Sequence, residues 1–138
     1  MPGQTKVVQH LYPEGLHKNP AFTNVVVVSA AARTIYIGGQ NAVDEAGNIV
    51  GKGDLGAQTE QIFKNMKIAL AAAGAEIHDV IKFNLYILHG QDIRPGFAVY
   101  QRAWGQHPNP PLVTMAFVAG LAHPDYLAEI EAVAVVAG

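Results

Sequence analysis

The pattern of hydrophobic and polar positions divides the chain into short strands and two helices. Two β-branched and aromatic runs separated by a short link, Asn24–Ala30 and Arg33–Gly39, are predicted to form a hairpin. Val80–Leu88 alternates between apolar and polar residues, as expected of a strand with one buried face. Two further apolar runs, Leu112–Ala119 and Leu127–Val136, predict the strands that close the chain.

Helical spacing accounts for the two segments between these strands. A helix is predicted from an N-cap at Asp54 to about Ala73, and Gly74 is suited to the left-handed residue that follows a helix. A second helix is predicted over Pro95–Trp104, with an aromatic stripe that we expect in the core: Phe97, Tyr100 and Trp104. This order of elements predicts an α+β fold with both helices on one face of a mixed sheet. No linker or repeat interrupts it, so we expect one domain over residues 1–138.

Composition narrows the classes of function. Half of the residues are hydrophobic and 14% are charged, a thin polar surface that oligomerisation would help to cover. The net charge is −2 and the nine Lys and Arg residues are scattered, so we expect no binding to nucleic acid or to an anionic membrane. Cysteine is absent, which excludes thiol nucleophiles and cysteine metal sites. The N-terminus has no apolar signal core and no apolar stretch could span a bilayer, so we expect a cytoplasmic protein.

Several motifs that would indicate chemistry are incomplete. The stretch "GNIVGKGD" resembles a phosphate loop, but it is one residue short between Gly47 and Gly51 and has no Ser or Thr after Lys52. The six histidines lack the i, i+4 pairing with a nearby acid that metal sites favour, so no metal is expected. The only serine, Ser29, lies at a strand end without the small-residue turn that exposes a hydrolase nucleophile.

Two carboxylates in the last predicted strand are the remaining candidates. Glu129 and Glu131 are two residues apart and therefore point to the same face, in a strand that is otherwise apolar. Unpaired charge there is costly to desolvate, so the face is either open to solvent or lines a cleft in which a carboxylate acts as a base or positions water. We expect Glu131 to be structural, paired across the sheet or at a subunit interface, and leave both readings open for Glu129.

Taken together, three stretches resemble the reactive intermediate deaminase family, the Rid or YjgF proteins. They are "YIGGQNAVDEAGNIVGKGDLGAQTEQIFKNMKIALAAAGAEIHDVIKFNLYI", then "NPP", then "YLAEIEAVAV". The resemblance implies a chorismate-mutase-like α+β fold, a homotrimer with small-molecule sites between subunits, and hydrolysis of enamines and imines without a cofactor. In that family an arginine on the penultimate strand binds the substrate carboxylate, a contact for which a bidentate guanidinium is well suited.

Carried over by position, the resemblance assigns most of the site. Glu129 matches the glutamate thought to hold the attacking water, and Gly39 matches the glycine that follows the third strand. Phe22 takes the place of a tyrosine and so lacks its hydroxyl. The backbone contacts of the penultimate strand fall at Met115.

The family's arginine is replaced in this chain. Its position, counted back from Leu121, falls on Val113, and Arg94 is the first cation we would expect to substitute. The pocket should then be apolar and suit a ligand with less charge. Two functions stay open: an enamine or imine hydrolase of altered specificity, and a trimer that binds small molecules without catalysis. The endoribonuclease activity with which family members have also been labelled is expected least, because a basic patch is absent.

Overall fold

The computed structural model describes residues 7–138, which form six strands and two long helices. The strands are β1 (Val8–Leu11), β2 (Val25–Val28), β3 (Ala32–Gln40), β4 (Val80–Leu88), β5 (Leu112–Val118) and β6 (Ala128–Ala137). The helices are α1 (Leu55–Ala72) and α2 (Arg94–Trp104), and a short 3-10 turn, Ile77–Asp79, precedes β4. The predicted helices and closing strands are confirmed to within about two residues, the usual uncertainty of such boundaries. Strand β1 was not predicted.

Four strands form the main sheet in the order β3-β6-β4-β5, and β1 and β2 form a separate two-stranded sheet. Strands β4 and β5 run parallel, whereas β6 is antiparallel to both of its neighbours, so the sheet is mixed as predicted. The predicted hairpin between β2 and β3 is wrong. Strand β2 pairs with β1 and β3 pairs with β6, because strand propensity does not specify which partner a strand will take.

Both helices pack on one face of the main sheet and enclose the core. Asp54 caps α1 by accepting a hydrogen bond from the Ala57 N–H at 3.0 Å, and Gly74 follows the helix with φ +75°, as predicted. The largest fully buried side chains come from α1 and from the central strands: Ile62, Met66, Leu70, Phe83 and Ile130. The side of the sheet turned away from the helices is called the open face below.

The register between β4 and β6 decides which residues share a face. Tyr86 lies opposite Glu129 and Asn84 lies opposite Glu131, whereas Leu85 lies opposite Ile130. Cross-strand partners point to the same side of a sheet. The polar pairs therefore occupy the open face, and the apolar pairs face the helices.

Candidate functional site

An apolar pocket of about 250 Å³ lies on the helix side of the sheet. It is bounded by the start of α2, the segment before β2 and the edge strand β5. Three residues that the family resemblance assigned to the ligand meet there: Phe22, Val113 and Met115. The other lining residues are Asn19, Ala21, Leu55, Thr59, Leu85, Ile87, Ile93, Gly96, Phe97, Tyr100, Ala128 and Ile130.

Hydrogen bonds fix the segment that carries Phe22 against the rest of the pocket. The Tyr100 hydroxyl donates to the Ala21 carbonyl at 3.0 Å, and the Thr23 N–H donates to the Pro111 carbonyl at 2.9 Å. The Thr23 hydroxyl also donates to the Pro110 carbonyl. Burial raises the pKa of Tyr100 to about 12, so its hydroxyl stays protonated and remains a donor. Phe22 is therefore anchored on both sides, by α2 and by the loop that leads into β5.

One residue of the predicted aromatic core, Phe97, is exposed. Tyr100 and Trp104 are buried as expected, but Phe97 is 44% exposed and lies at the pocket mouth. Helical spacing correctly placed the three rings on one side of α2. The spacing did not indicate that Phe97, in the first turn of α2, lies beyond the buried part of the core.

The pocket is uncharged: within residues 7–138, its lining contains no Lys, Arg, Asp or Glu. Arg94 lies outside the lining, although its neighbours Ile93 and Gly96 belong to it. Its side chain is 87% exposed and pairs with Asp92 through an Nη2–Oδ2 distance of 2.7 Å. The hydrogen bond from Arg94 lowers the pKa of Asp92 to about 2. In this arrangement the guanidinium is directed to Asp92 at the surface.

Glu131, on the open face, is held by two neutral donors of β4. Its Oε1 accepts from the Asn84 amide at 3.0 Å and from the Tyr86 hydroxyl at 2.9 Å. The hydrogen bond to Glu131 raises the pKa of Tyr86. Within residues 7–138 no salt bridge involves Glu129 or Glu131. The expected cross-sheet pairing of Glu131 is therefore present, with hydrogen-bond donors in place of a cation.

Glu129 is held differently. Its Oε1 accepts a hydrogen bond from the Asn41 side-chain amide at 3.2 Å, the only side-chain donor to this carboxylate in the described part of the chain. Its Oε2 is directed toward Gly39, where a built Cβ would lie 2.7 Å from the Glu129 Cδ. Glu129 and Gly39 are thus in contact. Asn41 was not anticipated, because no spacing in the sequence connects the end of β3 with β6.

The six candidate residues do not form one site within a single copy of the chain. Glu129 and Gly39 meet on the open face, and Phe22, Val113 and Met115 meet on the helix side. Ala128 and Ile130, which flank Glu129 in β6, line the pocket, so Glu129 points away from it. A ligand in the pocket is separated from this carboxylate by the backbone of the sheet.

Residues 7–138 contain no group of three or more His, Asp or Glu side chains placed to hold a metal ion. No helix within this range has the length and apolar character needed to cross a membrane.

The fold and the site define a small α+β protein with an uncharged pocket on one face of its sheet and a hydrogen-bonded carboxylate pair on the other. Residues 16–136 match the model of the Endoribonuclease L-PSP family. The chain therefore belongs to this family, which is that of the Rid and YjgF proteins.

Relatives and solved structures agree with this assignment. A RutC family protein of Pyrococcus horikoshii is 35% identical over 104 residues, which are 75% of this chain and 80% of that protein. The 3-aminoacrylate deaminase RutC of Acinetobacter baylyi is 29% identical over 124 residues, 90% of this chain and 94% of that protein. The crystal structure of the Rid family protein YyfB of Yersinia pestis has a TM-score of 0.83 and 29% identity, and covers 95% and 100% of the two chains. The predicted α+β fold is confirmed.

Proposed function

We propose that this protein is an enamine and imine deaminase of altered specificity, which uses Glu129 to direct water onto a C=N carbon. The observation that carries the proposal is the Glu129 carboxylate beside Gly39, with one oxygen held by Asn41 and the other lying over Gly39 without a side-chain donor in the described part of the chain. A relative that matches nearly the whole chain is named as a 3-aminoacrylate deaminase. A carboxylate with one anchored oxygen can accept a proton at the other.

The reaction needs only water and an acid–base group. The imine reacts as its iminium ion, protonated by solvent: the water oxygen forms a bond to the C=N carbon, the C=N π electrons move to the nitrogen, and a proton of the water passes to the Glu129 Oε2. The C–N bond of the resulting carbinolamine then breaks, so that ammonia leaves, a carbonyl group forms, and the hydroxyl proton passes to the Glu129 carboxylate and on to solvent. An enamine enters the same path after protonation at carbon, which converts it to the imine. Glu129 returns the proton to the leaving nitrogen.

The complete site is proposed to lie between two copies of the chain in a homotrimer. Within one copy the pocket and Glu129 face opposite sides of the sheet, so a site that uses both needs a second copy. Apolar side chains are exposed on both surfaces concerned: Tyr36, on the open face opposite Val133, is 78% exposed, and Phe117, on edge strand β5, is 49% exposed. Exposed apolar surface of this kind is typical of surfaces that pack against a partner.

The substrate is proposed to lack a carboxylate near its C=N group. A bidentate arginine–carboxylate contact contributes about 2 to 3 kcal/mol, and a carboxylate left unpaired in a cleft costs more. Each loss of about 1.4 kcal/mol of binding energy in the transition state lowers a rate about tenfold. With Val113 in an uncharged pocket, a 2-imino acid should therefore react about 100-fold more slowly than it would with arginine at that position. A small uncharged imine or enamine fits this lining better.

A trimer that binds small molecules without catalysis is the second candidate. The uncharged, mostly apolar pocket favours it, because such a pocket can bind a small molecule without any group that reacts with it. Ribonuclease activity, despite the family name, has less support. The net charge of −2 does not favour binding of an RNA backbone. Asn41 donates to Glu129 and Asn84 to Glu131, and an amide cannot act as the general acid that RNA cleavage would need.

The test measures release of ammonia from freshly generated imines, one neutral and one a 2-imino acid of similar size. The wild type is expected to accelerate hydrolysis of the neutral imine, and Glu129→Gln to lose about 100-fold or more of that rate. Val113→Arg is expected to gain on the order of 100-fold on the 2-imino acid. Val113→Leu is the matched control and should not gain.

Each alternative result has a defined meaning. If Glu129→Gln keeps the trimer and alters only ligand affinity, the binding module is correct. If the wild type already hydrolyses the 2-imino acid efficiently, another cation such as Arg94 serves the carboxylate, and Arg94→Gln should abolish that activity. A monomer in sedimentation at micromolar concentration would remove the intersubunit site.

A further inference from the structure

Asn41, the first residue after β3, connects two parts of β6 through one side chain. Its Nδ2 lies 3.2 Å from the Ala128 carbonyl oxygen and 3.2 Å from the Glu129 Oε1. A primary amide nitrogen carries two hydrogens, so both contacts can be made at once. The carboxylate is therefore anchored relative to the backbone of its own strand.

Asn41 is itself held from helix α1. The Asn65 side-chain amide donates to the Asn41 carbonyl at 3.1 Å and to the Val43 carbonyl at 2.9 Å. Gln61, one turn earlier in α1, donates to the Asn65 Oδ1 at 2.8 Å. A chain of neutral amides thus runs from the helix, through the end of β3, to the carboxylate.

The geometry leaves the two oxygens of Glu129 in different situations. Oε1 accepts from Asn41, and Oε2 lies over Gly39, where the absence of a Cβ leaves room. Glu131, by contrast, receives both of its donors on Oε1 from β4 and has no contact with Asn41. The titratable groups nearest to Glu129 on the open face are Glu131, two residues further along β6, and Tyr86, its partner in register.

We propose that Asn41 is a positioning residue for the water-activating carboxylate. Its amide fixes the rotamer of Glu129 so that Oε2 points to the attacking water. Asn41 does not touch the substrate in this role. The inference rests on the proposed function of Glu129, and nothing in the sequence pattern or the family resemblance assigns a role to position 41.

The test compares Asn41→Leu and Asn41→Asp, with Asn84→Asp as the matched control at the other carboxylate. Asn41→Leu is expected to lower kcat on the order of tenfold with KM nearly unchanged, the usual effect of losing one charge-assisted hydrogen bond. Asn41→Asp places a second carboxylate beside Glu129. The acid limb of its pH–rate profile is therefore expected to move up by about one pH unit or more. Asn84→Asp should move that limb less than Asn41→Asp does, because Asn84 contacts Glu131 and lies only diagonally from Glu129.

A second readout does not depend on activity. In protein labelled with ¹³C at the glutamate carboxyl carbons, the signal lost in Glu129→Gln identifies Glu129, and its titration is followed in each variant by NMR. The midpoint is expected to move to higher pH in Asn41→Asp. An unchanged midpoint in a folded variant would overturn the inference, even if activity fell. A purely structural role would lower the unfolding temperature of both variants and leave kcat of the folded Asn41→Leu enzyme unchanged.

The two proposals fail in distinguishable ways. If Glu129→Gln retains full activity, the proposed function is wrong and the catalytic role of Asn41 is wrong with it. If Glu129→Gln is inactive but Asn41→Leu is fully active, the proposed function stands and only the positioning role is lost.

Discussion

Gly39 packs directly against the Glu129 carboxylate, which leaves no room for a side chain at position 39. A Cβ at Gly39 would lie against the Glu129 Oε2 and 2.9 Å from its Cγ, whereas a Cβ at Gly38 would meet nothing within 4 Å. Neither glycine is needed for a left-handed backbone, since neither has a positive φ. Gly38 and Gly39 therefore differ only in whether an added side chain would meet Glu129, and only Gly39 has no room for one.

Alanine at these two positions gives a matched comparison. Gly39→Ala is expected to push the Glu129 carboxylate away from its hydrogen bond with Asn41 and to lower kcat/KM by about tenfold or more. Gly38→Ala should retain activity within about twofold, and both variants should stay folded by circular dichroism. Equal activity losses in the two variants would show that the strand, not the carboxylate, is the sensitive part.

Helix α1 carries, besides its apolar stripe, a buried glutamine that joins three parts of the chain. The Gln58 side chain donates to the Gly51 carbonyl at 3.2 Å and to the Asp125 carbonyl at 2.9 Å, and accepts from the Leu127 N–H at 2.9 Å. These contacts fix the loop before α1 and the turn before β6. The residues that precede Glu129 in the chain are thereby held to the helix.

Loss of this side chain is expected to destabilise the protein without changing the pocket. Gln58→Leu fills similar space but leaves the Asp125 carbonyl and the Leu127 N–H without partners, whereas the Gly51 carbonyl keeps the Asp54 N–H, so the free energy of unfolding should fall by about 2 to 4 kcal/mol. Gln101→Leu, on the exposed side of α2, is the control and should change it by less than about 0.5 kcal/mol. Urea denaturation measures both. If Gln58→Leu changed the free energy of unfolding only slightly, water would be making the hydrogen bonds that the Gln58 amide makes in the wild type.

The helices and strands that could be predicted from the sequence are those marked by residues within the element itself or next to it. Asp54 and Gly74 mark the ends of α1, and alternation in β4 correctly places Asn84 and Tyr86 on one face. Strand β1 is four residues long with polar residues in its middle, so its pattern was too weak to predict. The hairpin failed for the related reason that β2 needed β1 as its partner.

The site could be predicted only in part, for a similar reason. The strand pattern singled out Glu129 and the resemblance added Gly39, and the structure brings these two residues into contact. Asn41 reaches Glu129 across 88 positions of the sequence, and Gln58 reaches Leu127 across 69. Polar residues at such distances carry no periodic signal, because only the folded register of β3 and β6 brings them together.

At the scale of the whole molecule, the division of candidate residues between two faces has a genetic consequence. In the proposed trimer, one chain supplies Glu129 to each site and its neighbour supplies the pocket. Two inactive alleles, one with Glu129→Gln and one with the pocket filled by Gly96→Trp, should therefore complement each other. In a closed ring, each trimer that contains both variants has one interface of three where an intact Glu129 meets an intact pocket. About three quarters of randomly mixed trimers contain both variants, so mixing should restore about a quarter of the wild-type activity.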